Sequence, residues 1–117
     1  MDLTELTNKL ATAHGLKGKE QTQQYGEALN LALELFPELA AAVTTNVTEM
    51  VMSRSNYASP KDHSVAQTFN HVFGIVPELR AAYYYIVIAP LYVDSEYRHY
   101  VRRYWLENDR KNDYVTV

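Results

Sequence analysis

The chain has 117 residues, 47% of them hydrophobic and 21% charged, with a net charge of −3 at neutral pH, which suits one domain with a real core. Four glycines and four prolines are too few for a turn-rich β-sandwich, and the absence of cysteine excludes disulfides, thiolate chemistry and cysteine-ligated zinc. The negative balance argues against a protein whose main task is to cover a phosphate backbone, because that affinity grows with the number of phosphates neutralised.

The N-terminus, MDLTELTNKL, starts acidic and has no apolar run, so no secretory signal is expected and a soluble, cytoplasmic protein in a reducing compartment is. Leu3, Leu6 and Leu10 recur at helical spacing and predict an N-terminal helix over 3–13, with Asp2 as its N-cap. GLKGKEQ then reads as a loop. It is not a phosphate-cradling loop, since no Ser or Thr follows Lys19.

An internal repeat organises the next seventy residues. YGEALNLALELFPELAAAV, residues 25–43, aligns without gaps on VAQTFNHVFGIVPELRAAY, residues 65–83. Asn30/Asn70, Pro37/Pro77, Glu38/Glu78, Leu39/Leu79, Ala41/Ala81 and Ala42/Ala82 are identical. Such a spacing is typical of helical-pair repeats, and two copies suggest a duplicated helical hairpin or convergence on one solution. Tyr25, Leu29, Ala32, Leu33 and Phe36 form one apolar stripe at helical period, as do Val65, Phe69, Val72, Phe73 and Val76. The stripes resume after each proline, through Leu39, Val43, Val47, Met50 and Val51, and through Leu79, Tyr83, Ile86 and Val87. Proline lacks an N–H and fits the first turn of a helix better than its interior, so Pro37 and Pro77 each predict a new helix. Glu38 and Glu78 then stand where the helix dipole favours a carboxylate, which reads as capping rather than as a catalytic pair. Repeat one is therefore placed at 22–52 and repeat two at 60–89, with the helix–PEL–helix units at 25–51 and 65–89.

SRSNYASP, residues 53–60, connects the two, and Ser59 before Pro60 is a suitable N-cap. YYYIVI has strand-like composition, whereas its repeat counterpart VTTNVT makes helix the more consistent choice. Pro90 ends that segment. A C-terminal amphipathic helix is predicted over 94–107 and an extended tail over 114–117. DYVTV is a short, weak pattern of the kind that docks into a sheet edge or a carboxylate-binding groove, and the expectation is instead a tail that packs on its own domain or frays.

No residue pattern announces chemistry. His14, His63, His71 and His99 include no pair at i, i+3 or i+4, so neither a helical metal site nor any other metal or cofactor is expected. His71 reads as a partly buried polar residue. Asp62-His63-Ser64 are sequence neighbours, which point apart on a helix and do not make a triad. No nucleophile elbow surrounds any serine, and no enzymatic activity is expected. The sequon Asn46-Val47-Thr48 reads as coincidence.

Ten tyrosines are the compositional oddity. Tyr83, Tyr84 and Tyr85 cannot all face one core, because successive helical positions turn by about 100°. They fit either a doubly buried helix with hydroxyls at its edge or an association surface, a setting in which tyrosine is enriched. In YRHYVRRYW, residues 97–105, Tyr97, Tyr100, Val101, Tyr104 and Trp105 gather on one side of a helical wheel. Arg98, His99, Arg102 and Arg103 gather on the other. Stacking on bases needs aromatics displayed beside the cations, and here they are segregated.

The expectation is an all-α domain of about six helices that serves as a protein–protein association module, self-associating, as a small assembly or accessory component (of a virus particle, for example) or an inhibitor of another protein. The expected partner-binding residues are Tyr83, Tyr84, Tyr85, Tyr92, Arg98, Arg102 and Arg103. The alternative is a nucleic-acid-binding accessory protein that contacts phosphates through Arg98, Arg102 and Arg103.

Overall fold

The computed structural model describes residues 3–53 and 63–91. Helix α1 spans Leu3–His14 and buries Leu6, Leu10 and Ala13, about one residue per turn, while Leu3, the first leucine of the expected stripe, is 43% exposed. Glu5 in its first turn and His14 in its last both suit the helix dipole. The amides of Gly15 and Leu16 close α1 by bonding back to Thr12 O and Ala13 O, each at 3.1 Å. The Gln21 side-chain amide donates to the same Ala13 carbonyl at 3.1 Å, tying the end of α1 to the next helix.

That helix, α2, spans Gly18–Leu35, so the expected GLKGKEQ loop is shortened to residues 15–17. The reason is local. Gly18 takes φ 63°, a left-handed value open to glycine, and reverses the chain in one residue. Lys19, Glu20 and Gln21 are good helix formers and continue directly, with Glu20 in the first turn. Helix α2 is the centre of the described fold. It packs against α1, α3, α5 and the turn that follows α5. Its buried face is correspondingly wider than one stripe and includes Ala28 and Leu31 beside Tyr25, Leu29 and Ala32.

Helix α3 spans Pro37–Ser53 and starts on its proline as expected. Phe36 is the single residue between α2 and α3. Its φ −125° and ψ 82° lie outside the α region, which a following proline ring disfavours. Helix α4 spans His63–Ile75, and α5 is the short helix Leu79–Tyr83. The two proline junctions match bond for bond. Phe36 N–H donates to Ala32 O at 2.8 Å, and Val76 N–H to Val72 O at 2.9 Å. Leu39 N–H then reaches Phe36 O at 2.9 Å, and Leu79 N–H reaches Val76 O at 3.1 Å. The junctions differ in where helix resumes: Pro77 and Glu78 form a turn ahead of α5 instead of its first residues. Glu78 takes the N-cap position with αR backbone and makes no side-chain cap bond.

After α5 the chain stays helical but changes pitch. Tyr84–Ile88 is a π-helical turn, closed by Ala89 N–H donating to Tyr84 O five residues back. A 3-10 turn, Ala89–Leu91, carries Pro90. The YYYIVI segment is thus helix, and helix makes up 91% of the described residues, with no strand among them. The extra residue of the π turn re-phases the buried face. The α-helical stripe would bury Tyr83, Ile86 and Val87. In the structure Tyr83, Tyr84 and Ile88 are buried, and Ile86 and Val87 are half-buried.

The core is aromatic where α4 meets α5. The rings of Phe69 and Tyr83 have centroids 5.0 Å apart, Phe69 and Phe73 5.6 Å, and Phe73 and Tyr83 6.2 Å. Burial of each such side chain contributes about 1.5–3 kcal/mol. On α3 the stripe ends at Met50, since Val51 is 54% exposed. His71, expected to be partly buried, is exposed on α4. The Asp2 cap, the Ser59–Pro60 start, the helix at 94–107 and the tail at 114–117 lie outside the described residues.

Candidate interaction site

The three consecutive tyrosines have three different environments. Tyr83 is 0% and Tyr84 2% exposed, so both serve the chain's own core and the surface role expected of them is corrected. Both residues have ordinary αR backbone, so their side chains leave the helix about 100° apart and the core covers both directions. Tyr85 is half-buried. Its ring stacks on Tyr25 at 5.6 Å and 10° and meets Tyr84 edge-on at 5.0 Å. The Tyr25 hydroxyl in turn hydrogen-bonds His14 Nδ1 at 2.7 Å, so one chain of rings links the end of α1, the middle of α2 and the π turn. Burial, helped by the neighbouring Tyr85 phenol, raises the Tyr25 pKa above the usual tyrosine value.

Two buried polar side chains were not legible as such. Asn46, 0% exposed, donates from Nδ2 to Tyr83 Oη at 2.7 Å and thereby joins α3 to α5. Its Oδ1 is buried and has no hydrogen-bond partner. Burial holds the Tyr83 phenol far above the usual tyrosine value, with the Asn46 hydrogen bond pulling the other way. The sequon asparagine is therefore sealed in the core, out of reach of a glycan. Arg80 is 1% exposed and lies over the Phe73 ring, 5.4 Å from its centroid. The repeat alignment does carry a hint of Arg80, whose counterpart is the exposed Ala40. Asn46 sits inside VTTNVT with nothing to set it apart.

With Arg80 inside, the described surface is divided by charge. From residue 20 onward its charged groups are Glu20, Glu27, Glu34, Glu38, Glu49 and Glu78, and Arg80 is the one Lys or Arg among those described residues. Lys17 and Lys19 stand at the α1–α2 corner, and Lys9, midway along α1, pairs with Glu27 of α2 at 3.1 Å.

The acidic side contains a groove of about 210 Å³ between α3 and α4, open to solvent. Ala41, Ala42, Thr45 and Glu38 line it from α3, and Ser64, Val65 and Thr68 from α4. Ala42 and Val65 are buried and form an apolar floor, while Glu38 is exposed. Thr68 Oγ1 donates to Ser64 O at 3.1 Å, which uses its one proton, so toward a further group this hydroxyl can only accept.

Among the described residues no group of three or more His, Asp or Glu is placed to hold a metal, and no helix is long and apolar enough to cross a membrane. Of the expected contact residues, Tyr92, Arg98, Arg102 and Arg103 lie outside the described residues. Compared with known proteins, the chain matches no family model, no curated protein and no solved structure.

Proposed function

We propose that the protein is a protein–protein association module that binds copies of itself. The observation that carries this reading is the division of charge. A helical body whose described surface over residues 20–53 and 63–91 offers carboxylates is a poor counterpart for a phosphate backbone and a good one for a cationic protein face. The sequence supplies a candidate for that face, since a helical wheel of residues 97–105 sets Arg98, Arg102 and Arg103 opposite an aromatic stripe. We read the fold as two helix–PEL–helix units followed by a sixth, amphipathic helix at 94–107, and the module as a cytoplasmic assembly or accessory component.

Light scattering across concentration tests the reading. The expected result is a mass that rises with concentration and falls back as salt is added. A mass fixed at that of one chain at high concentration would refute it. Titration with short single- and double-stranded oligonucleotides covers the alternative. Micromolar binding with a steep salt slope, lost in Arg102→Ala plus Arg103→Ala, would replace association by nucleic-acid binding.

A further inference from the structure

We infer that the groove between α3 and α4 receives an arginine side chain from the 97–105 segment of a second copy, with Glu38 as its anionic partner. The inference rests on the self-association proposed above and names its receptor site. The groove's size points to a side chain. At about 210 Å³ it falls below the roughly 300–1,000 Å³ of ordinary small-molecule sites. Its chemistry points to arginine. The buried Ala42 and Val65 form a floor for an aliphatic stem, and the Glu38 carboxylate and the hydroxyls of Thr45, Ser64 and Thr68 stand at its rim as acceptors for a guanidinium. Arginine offers five donors in a fixed fork, which a mixed set of hydroxyls and one carboxylate can share.

A second copy is the occupant because of charge complementarity. Described residues 20–53 and 63–91 contain no exposed Lys or Arg, so none of these residues pairs with the groove's carboxylate. Arg98, Arg102 and Arg103 lie opposite Tyr97, Tyr100, Val101, Tyr104 and Trp105 on a helical wheel. A helix that lays its aromatic side on its own body presents its arginines to another molecule.

Sedimentation velocity across concentration tests this on the full chain. Glu38→Gln removes the anion, and Ala41→Trp fills the groove from an exposed position; each is expected to weaken self-association at least tenfold, as is the pair Arg102→Glu with Arg103→Glu. Glu38→Arg combined with that pair should restore much of the loss. Circular dichroism melts establish that each variant is folded. If the unmodified chain associates and Glu38→Gln and Ala41→Trp leave its dissociation constant unchanged, the groove is refuted while the association reading stands. If the unmodified chain is monomeric throughout, the association reading itself fails. A monomer whose melting temperature falls with these substitutions would place the arginine within its own chain and refute the second copy.

Discussion

Replacing Tyr83 by Phe removes one hydroxyl and tests the buried polar link between α3 and α5. In the native chain Asn46 is fully buried, spends Nδ2 on Tyr83 Oη at 2.7 Å and leaves Oδ1 without a partner. Turning the amide over exchanges donor and acceptor but still leaves one amide atom unpartnered. Tyr83→Phe therefore strands the whole amide in an apolar setting. The lost hydrogen bond is worth about 0.5–1.5 kcal/mol net, and an unsatisfied buried amide costs about 1–3 kcal/mol, so a destabilisation of about 2 kcal/mol is expected. At roughly 4 °C per kcal/mol for a chain of this size, the melting temperature should fall by about 8 °C. Asn46→Leu in the Tyr83→Phe background replaces both polar groups with apolar ones of similar size and should recover most of the loss. The measurement is a double-mutant cycle by urea unfolding, followed by far-UV circular dichroism. Tyr83→Phe within 0.3 kcal/mol of the parent (about the error of additivity), or a double variant no better than the single one, would refute the account.

Alkali should destabilise the protein through the same residues. Tyr83 and Tyr25 have pKa values raised above the ordinary tyrosine value of 10.0 by burial. Their contribution is fully present below pH 10 and is lost as pH rises through the folded-state values, by up to about 1.4 kcal/mol per pH unit for each tyrosine. Urea unfolding at pH 9, 10 and 11 should show that slope, and Tyr83→Phe should make it shallower. Gly18→Ala should cost about 1–2 kcal/mol, because φ 63° is unfavourable for alanine while the space around its Cβ is open. Gly18→Asn should cost less, as asparagine tolerates that region, and thermal melts of the two variants check the order.

Much of the architecture could be read from side-chain spacing. The stripe of α4 is buried residue for residue, that of α1 is buried at Leu6 and Leu10 but not at Leu3, and most of the α2 stripe is buried. Pro37 and Pro77 mark breaks because a missing N–H is a covalent fact that tertiary packing cannot undo. What escaped is what depends on the neighbours of a helix. The π turn at Tyr84–Ile88 changes the period on which any stripe argument rests, and so Ile88 is buried where Ile86 and Val87 were expected. Arg80 and Asn46 have polar side chains that meet partners on other helices, Tyr83 for Asn46 and the Phe73 ring beside Arg80. The groove between α3 and α4 is likewise a property of two helices together. Ala41 and Ser64 look like unremarkable surface residues when each helix is considered alone.

The one-residue joint at Phe36 has a consequence for insertions. Loops usually absorb added residues because their ends can drift. Phe36 has no such slack: helix ends on one side of it and begins on the other. One residue inserted before Pro37 and taken up as helix would swing α3 by about 100° about its axis. Asn46 would then turn away from Tyr83, and Glu38 would leave the mouth of its groove. The three residues of the Gly15–Lys17 connection, by contrast, give a place where an insertion need not rotate either helix. The chain's tolerance to length change is thus set by a proline in one place and a glycine in the other.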